Sequence, residues 1–175
     1  MHEDGSAPEQ PAKASARLPL QSDYDIGALA AKGQSSTSLL LFSRRHAPLN
    51  PNCVVCGADN QKGLQLEFQG GPNGVAAVWV PTEEWESFRG TVHGGIITAV
   101  LDEAMSKAVI ARNWEALTVD LRVRFRGRVS PGEELRVHGW VVEKRKRRVL
   151  TEAILVTGTG VERAHAWAAF LVPRG

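Results

Sequence analysis

One stretch of the chain limits the possible folds more than any other: a glycine-rich segment that leads directly into an apolar, helix-forming run. Residues 90–95 read GTVHGG. In the run that follows, apolar residues recur at steps of three and four, namely Ile97, Val100, Leu101, Ala104, Met105 and Ala108. This spacing predicts a helix that extends to about residue 111 and buries one face.

The start of this helix is a candidate anion site. A helix N-terminus leaves backbone N–H groups without intrahelical partners and carries the positive end of the helix dipole. The pair Gly94 and Gly95 has no Cβ to keep a ligand away from those groups. Such a site suits an anion, or a carbonyl oxygen that becomes one during a reaction.

A carboxylate lies further along the same helix. Thr98, Asp102 and Ser106 are four residues apart and form a narrow polar strip on an otherwise apolar helix. A carboxylate there is costly unless it is paired or used, so Asp102 is the candidate catalytic group, and a solvated or Arg-paired carboxylate is the alternative. Glu103 lies on another face and precedes Lys107 by four residues, which predicts a surface ion pair.

The regions flanking the helix have the alternating pattern of β-strands. Period-two alternation predicts strands over residues 64–68 and 75–80 before the helix, with a loop or single turn over 81–88. After the helix, strands are predicted over 118–126, 135–143, 149–157 and 161–172, as a four-strand meander. One central helix wrapped by an antiparallel sheet is an α+β fold.

Composition is that of one globular domain. The chain has 175 residues, 43% of them hydrophobic, which suffices for a single core. We expect a disordered tail over 1–22, a partly ordered extension with one short helix over 23–49, and the folded domain over 50–175. No apolar run approaches a membrane span and no signal-peptide core is present, so a cytoplasmic location without membrane contact is expected. A net charge of +2 gives no argument for nucleic acid.

The two cysteines form a Cys-x-x-Cys pair, Cys53 and Cys56, in a turn-rich loop before the first predicted strand. A zinc site would need about four ligands, with His46 among the few candidates to complete it. A thioredoxin-like redox pair would need a βαβ setting, which the pattern lacks. The favoured interpretation is two partly buried side chains in a loop, so no metal or redox cofactor is expected.

A His-Gly-Gly motif with an acid nine positions after the His resembles the signature of hotdog-fold acyl-CoA thioesterases, in the PaaI-like branch. The two residues here are His93 and Asp102. The resemblance covers about residues 50–173 and includes the Cys-x-x-Cys-Gly loop with the GLQLEF sequence of residues 63–68. It implies a hotdog fold, hydrolysis of an acyl-CoA thioester to free acid and CoA, and a homodimer or dimer of dimers whose sheets join edge to edge.

The resemblance also implies roles around the helix. The Gly94 N–H would hold the oxyanion, and Asp102 of the neighbouring subunit would be the base or the nucleophile. Gly95 would border the substrate, with a steric role favoured over an electronic one. His93 would be either a general base at the substrate or a packed, hydrogen-bonded residue at the helix start.

Two further positions match places where relatives carry polar site residues. Thr118 starts the first strand after the helix, where relatives have a Ser or Thr that holds the water or the carboxylate; a plain strand threonine is the alternative. Ser87 lies six positions before His93, where one relative has an Asn, and is a candidate for holding water.

Basic side chains form two clusters. A predicted hairpin contains Lys144, Arg145, Lys146, Arg147 and Arg148, and a strand carries Arg122, Arg124, Arg126 and Arg128 on one face. Guanidinium groups pair well with phosphate, so contact with coenzyme A is one interpretation and a solvated surface is the other. The clusters lack the interleaved aromatics of nucleic-acid sites. Trp85, Trp114, Trp140 and Trp167 are predicted core or interface anchors, or the lining of an acyl or aryl pocket.

A rival function belongs to a different class of protein. A hotdog module can bind an acyl-CoA or aromatic ligand without hydrolysing it, and its mark would be a missing acid at position 102. The chain has Asp102 there, so the sequence favours the thioesterase.

Overall fold

A computed structural model describes residues 50–71 and 73–174, so the expectations for 1–22 and 23–49 lie outside the described residues. The described part contains one α-helix and eight strands. In chain order these are β1 (Gln69–Gly71), β2 (Gly74–Trp79), a 3₁₀ turn (Glu83–Trp85), β3 (Glu86–Phe88), β4 (Thr91–Val92), α1 (Gly94–Ile110), β5 (Leu117–Phe125), β6 (Leu135–Arg145), β7 (Arg148–Thr157) and β8 (Glu162–Leu171).

The main sheet has six antiparallel strands in the order β1-β2-β6-β7-β8-β5, and β3 pairs with β4 in a separate small sheet. Only β6, β7 and β8 form a meander, so the predicted four-strand meander is wrong in one pairing. Both edges of β6 are occupied, by β2 and β7, so β5 pairs instead with the free edge of β8.

Helix α1 packs across one face of this sheet. Val100, Leu101, Ala104 and Met105 have no exposed surface, and they meet alternate residues of the long strands, including Leu135, Val137, Ala153, Leu155, Ala166 and Phe170. At Gly139 of β6 the helix comes so close that a Cβ would lie 2.5 Å from the Ala104 carbonyl oxygen. Only glycine fits there. The predicted α+β class and the buried helix face are confirmed.

Residues 64–68 do not form the predicted strand. The N–H groups of Leu64 and Leu66 donate to the carbonyls of Val54 and Val55, both at 2.8 Å, so this segment runs beside the cysteine loop. Gln65 has a φ of 49°, in the left-handed region, which interrupts any strand. The apolar side chains of this segment still face inward. The alternation of apolar and polar residues therefore predicted burial correctly, but it did not show which backbone the segment pairs with.

The segment before the helix is a 3₁₀ turn over Glu83–Trp85, as the predicted single turn allowed, followed by the short strand β3. Among the described residues, no helix has both the length and the apolar character needed to cross a bilayer.

Candidate active site

His93 caps the N-terminus of α1. Its backbone is extended, with φ −63° and ψ 129°, and its Nδ1 accepts a hydrogen bond from the Gly95 N–H at 2.8 Å. Its own N–H donates to the Trp85 carbonyl at 2.7 Å. Because Nδ1 acts as the acceptor, the proton of the neutral ring is on Nε2. The structure therefore uses one nitrogen of this candidate base to close the helix end.

The two glycines after His93 differ in what their N–H groups do. The Gly95 N–H donates to the His93 ring, whereas no described residue accepts a hydrogen bond from the Gly94 N–H. Gly94 is the first residue of α1, and a Cβ built on it would lie 3.3 Å from the Phe125 ring at the end of β5. The free donor at the positive end of the helix dipole is thus the one on Gly94.

A network of hydrogen bonds holds the turn that leads into this helix. Gly90 has a φ of 71°, donates its N–H to Glu86 Oε1 at 2.6 Å and accepts from Arg128 Nε at 2.9 Å. Arg128 was predicted as one of the phosphate-binding candidates, but its guanidinium binds a backbone carbonyl. Neither Glu86 nor Arg128 was recognised as a support of this turn. For Arg128 the reason is that nothing in a sequence links it to Gly90, 38 residues away.

Asp102 lies on α1 with Thr118 of β5 beside it. The Thr118 hydroxyl donates to Asp102 Oδ1 at 2.9 Å, and both side chains are half-buried. Burial raises the pKa of Asp102 above its usual 3.8, the Thr118 hydrogen bond works against this rise, and the negative charge of Glu103 adds to it. Asp102 forms no ion pair with any described residue, so it is a carboxylate with one hydroxyl donor in a partly desolvated place.

Gly94 and Asp102 are too far apart within one chain to act on the same carbonyl group. Eight residues separate them on α1, and at 1.5 Å per residue the separation along the axis is about 12 Å. A reacting atom must lie about 3 Å from both the oxyanion donor and the base or nucleophile. One chain therefore carries two halves of a site, one at each end of this stretch of helix.

Ser87 lies with the helix-start half. It is an exposed residue of β3, and its hydroxyl donates to the Thr91 carbonyl at a long 3.5 Å. It does not meet Asp102.

The basic hairpin lies beyond the other end of the helix. Lys144 Nζ is 5.0 Å from the centre of the Trp114 ring, which follows α1. Arg147 Nε donates to the Val172 carbonyl at 2.7 Å, and Arg145 pairs with Glu143 at 2.7 Å. Lys146 and Arg148 are exposed and have no partner in the described part of the chain. In the second cluster, Arg122 and Arg124 are exposed on β5, and Arg126 pairs with Glu162 at 3.2 Å.

Comparisons with known proteins identify a similar family and similar folds. Residues 89–164 match the family model described as "Thioesterase superfamily". This part of the chain is therefore similar to the thioesterase superfamily, and the described domain has the hotdog fold of the solved structures below. A search of curated protein sequences found no match.

Three solved structures illustrate the likeness of this hotdog domain to others. A hypothetical thioesterase of Streptococcus pneumoniae with coenzyme A is 16% identical, with 62% of this chain and 85% of that one covered and a TM-score of 0.59. PaaI of Escherichia coli, from its phenylacetic acid degradation operon, is 16% identical, with 62% of this chain and 83% of that one covered and a TM-score of 0.59. Zebrafish thioesterase superfamily member 2 is 17% identical, with 78% of this chain and 96% of that one covered and a TM-score of 0.61.

The Glu103–Lys107 pair of the hotdog domain exists as predicted, at 3.3 Å, but it is not a surface pair. Lys107 is only 2% exposed, because the loop that carries Cys53 and Cys56 lies against this side of α1. Removing the Glu103 charge would leave a buried ammonium group unpaired, which is strongly destabilising.

The tryptophans of the hotdog domain have two kinds of surroundings. Trp85 and Trp114 pack against the core as predicted. Trp140 and Trp167 belong to a row of rings with two histidines, in which Trp167 stacks on His165 at 4.0 Å and Trp140 on His138 at 5.1 Å. Trp140 and Trp167 were predicted as anchors or pocket lining, and the histidine rings stacked on them were not predicted.

Proposed function

We propose that the protein is an acyl-CoA thioesterase, which hydrolyses a thioester to free acid and CoA. The observation that carries the proposal is the Asp102–Thr118 hydrogen bond in a partly desolvated place on the same helix that begins with a free Gly94 N–H. The match of residues 89–164 to the thioesterase superfamily model supports thioester chemistry in general, and the S. pneumoniae structure contains coenzyme A.

The Gly94 N–H supplies the electrophilic half of the reaction. It donates to the thioester carbonyl oxygen and holds the negative charge that develops there as the carbon is attacked. The helix dipole adds to this stabilisation, and the absent Cβ lets the carbonyl approach. Loss of one such donor lowers kcat by about 10²–10³-fold in other enzymes.

Asp102 supplies the nucleophilic half. As a base it takes a proton from the water that attacks the carbonyl carbon; the C–S bond then breaks, and the departing CoA sulfur takes up that proton. As a nucleophile it attacks the carbonyl carbon directly and expels the CoA thiolate; water then hydrolyses the resulting acyl-aspartate anhydride to the free acid, and the released proton balances the thiolate. In both routes Thr118 fixes the carboxylate through Oδ1 and leaves Oδ2 for the reaction. The raised pKa of Asp102 makes it a stronger base than an ordinary Asp.

A separate likeness supports the roles of these two residues. Two further structures of the S. pneumoniae protein carry alanine in place of an Asp and of a Thr that are sixteen positions apart in its sequence. Asp102 and Thr118 are also sixteen positions apart.

A complete site then takes its halves from two chains. Strand β5 starts beside Asp102, through Thr118, and ends beside Gly94, through Phe125. It is an edge strand with exposed apolar side chains at Leu117, Val119 and Phe125. Antiparallel pairing of this edge with its copy places the start of one β5 beside the end of the other, so Asp102 of one chain faces Gly94 of its partner. A homodimer, or a dimer of dimers, covers these edges.

We assign the coenzyme A phosphates to the hairpin of residues 144–148, which lies beyond the C-terminal end of α1, with Lys144 over the Trp114 ring. Lys146 and Arg148 are the strongest candidates within it, because they are exposed and unpaired, whereas Arg147 binds the Val172 carbonyl. Guanidinium and ammonium groups both bind phosphate oxygens.

The proposal is tested by measuring thiol release from a panel of acyl-CoAs with the parent protein and Asp102→Asn. An amide of the same shape is neither a base nor a nucleophile, so we expect kcat to fall by about 10²–10⁴-fold with CoA binding retained. Asp59→Asn, the same change at an exposed loop position, is the control and should behave like the parent. A parent-like rate for Asp102→Asn would refute the carboxylate mechanism. Tight acyl-CoA binding by the parent without thiol release from any of them would favour the non-catalytic module.

A further inference from the structure

The loop of residues 50–57 meets the central helix at a cluster of three metal-ligand side chains. The two sulfurs of Cys53 and Cys56 and a carboxylate oxygen of Glu103 all lie within 4.8 Å of one another. Cys53 Sγ is 3.9 Å from Glu103 Oε2, and all three side chains are half-buried. Fifty residues separate Cys53 from Glu103, so only the fold brings the third ligand to the pair.

The loop is built to hold both sulfurs in place. The Val55 N–H points at Cys53 Sγ at 3.4 Å, and the Gly57 N–H donates to the Cys53 carbonyl at 3.0 Å. A Cβ on Gly57 would lie 2.4 Å from the Cys53 nitrogen and from the Pro51 oxygen, so this tight turn accepts only glycine. The turn and this contact therefore fix the position of the Cys53 sulfur.

On the helix side of the cluster, the two oxygens of the Glu103 carboxylate have different partners. Glu103 Oε1 is 3.3 Å from Lys107 Nζ, whereas Oε2 faces Cys53. A ligand whose second oxygen is held by another group is the usual outer-sphere arrangement of a metal site. Charges also balance: two thiolates and one carboxylate sum to −3, and a divalent ion with the Lys107 ammonium sums to +3.

We propose that Cys53, Cys56 and Glu103 bind a zinc ion, with water in the fourth tetrahedral position. Zinc–sulfur and zinc–oxygen bonds of about 2.0–2.3 Å place tetrahedral ligand atoms about 3.5–3.8 Å apart, so the three side chains must close by about 1 Å. Binding exchanges one proton from each thiol for the metal and involves no oxidation. The ion fastens the loop of residues 50–57 to α1 beside Asp102, and this role is independent of the proposed thioesterase activity.

The same cluster argues against a dithiol–disulfide redox pair. Burial, and next the neighbouring Glu103 carboxylate, raise the pKa of Cys56 to about 12. Disulfide exchange needs a thiolate, so this thiol is unreactive at neutral pH. A bound dication reverses the balance because its charge stabilises the thiolate directly. Metal affinity should therefore rise with pH, as the two protons become easier to displace.

The test uses the full chain without a histidine tag, reduced, stripped with a chelator and then titrated with Zn²⁺ or Co²⁺. We expect about one equivalent bound per chain, as in other single-ion sites, with a raised melting temperature. The cobalt form should show the intense visible bands of a tetrahedral ion and thiolate charge-transfer absorption. Cys56→Ser should lose the bands and the thermal shift, whereas Asp59→Asn, an exposed acid of the same loop region, should keep both.

Three results would overturn the zinc site. They are no stoichiometric binding by the reduced parent chain, unchanged binding by Cys56→Ser, and a parent chain that loses two hydrogens in air and takes up no metal after reduction. The last result would identify the pair as a disulfide. Because the titration of the parent chain is itself decisive, the proposal stays testable even if Cys56→Ser folds poorly.

Discussion

Asp102 shows how one residue's surroundings bear on both activity and stability. Its carboxyl is half-buried on an apolar helix, with the Thr118 hydroxyl as its hydrogen-bond donor and the Glu103 carboxylate next to it. Burial and the neighbouring charge favour the protonated form, whereas the hydroxyl favours the charged form. The first two effects are larger, so the pKa of Asp102 is raised.

This raised pKa predicts a pH dependence of both quantities. Catalysis needs the carboxylate, so kcat should rise with pH around a midpoint above the ordinary value of 3.8. The folded state favours the protonated carboxyl, so its contribution to stability is full below 3.8 and is lost as pH rises through the folded-state pKa. Asp102→Asn should therefore raise the melting temperature at neutral pH, and this gain should vanish towards low pH. A gain that is the same at every pH would contradict the raised pKa.

At this scale the sequence predicted residues joined by a local motif and missed those joined by the fold. His93, Gly94 and Asp102 could be predicted as candidates because they belong to one motif whose spacing a helix fixes. The support that Arg128 gives to the entry turn depends on a contact between segments 38 residues apart. For the same reason Lys107 was expected on the surface, whereas the cysteine loop covers it.

At the scale of elements, the start of α1 allows a clean test of the oxyanion site. Gly94 is the first helical residue, where proline is well tolerated, and the extended backbone of His93 suits a residue that precedes proline. Gly94→Pro removes only an N–H that has no acceptor among the described residues. Its control is Gly94→Ala, which brings a similar Cβ against Phe125 but keeps the N–H.

We expect Gly94→Pro to lower kcat/KM by about 10²–10³-fold relative to Gly94→Ala, with similar melting temperatures for the two variants. The comparison is made with the best acyl-CoA of the thiol-release panel. If Gly94→Ala keeps most of the parental activity and Gly94→Pro is equally active, the Gly94 N–H does not hold the oxyanion.

The sequence predicted the long elements well and their pairing less well. Alternation placed β2 and β5 to β8 within a few residues of their observed bounds, because burial of one face imposes that pattern. It did not reveal that β5 pairs with β8, or that residues 64–68 pair with a loop. Which strands pair depends on which edges of the sheet are still free and on the turns between distant segments. The alternation within one strand contains no information on either.

At the scale of the whole molecule, the described domain has an unpaired edge at β5 and two half-sites on one helix. A second copy of the chain would pair with this edge and would also complete both half-sites. A shared site also makes a prediction about mixtures of inactive variants. If Gly94 of one chain works with Asp102 of its partner, a mixed dimer of Asp102→Asn and Gly94→Pro has one site with both changes and one site with neither.

The most direct test of this account is to unfold the two variants together, refold them at equal concentrations and measure thiol release. Random pairing of chains in a symmetric dimer predicts recovery of about a quarter of the parental activity, whereas each variant refolded alone stays inactive. A site built within a single chain would leave every site of the mixture with one change. Mixed dimers that form but show no recovery of activity would contradict the shared site of Gly94 and Asp102.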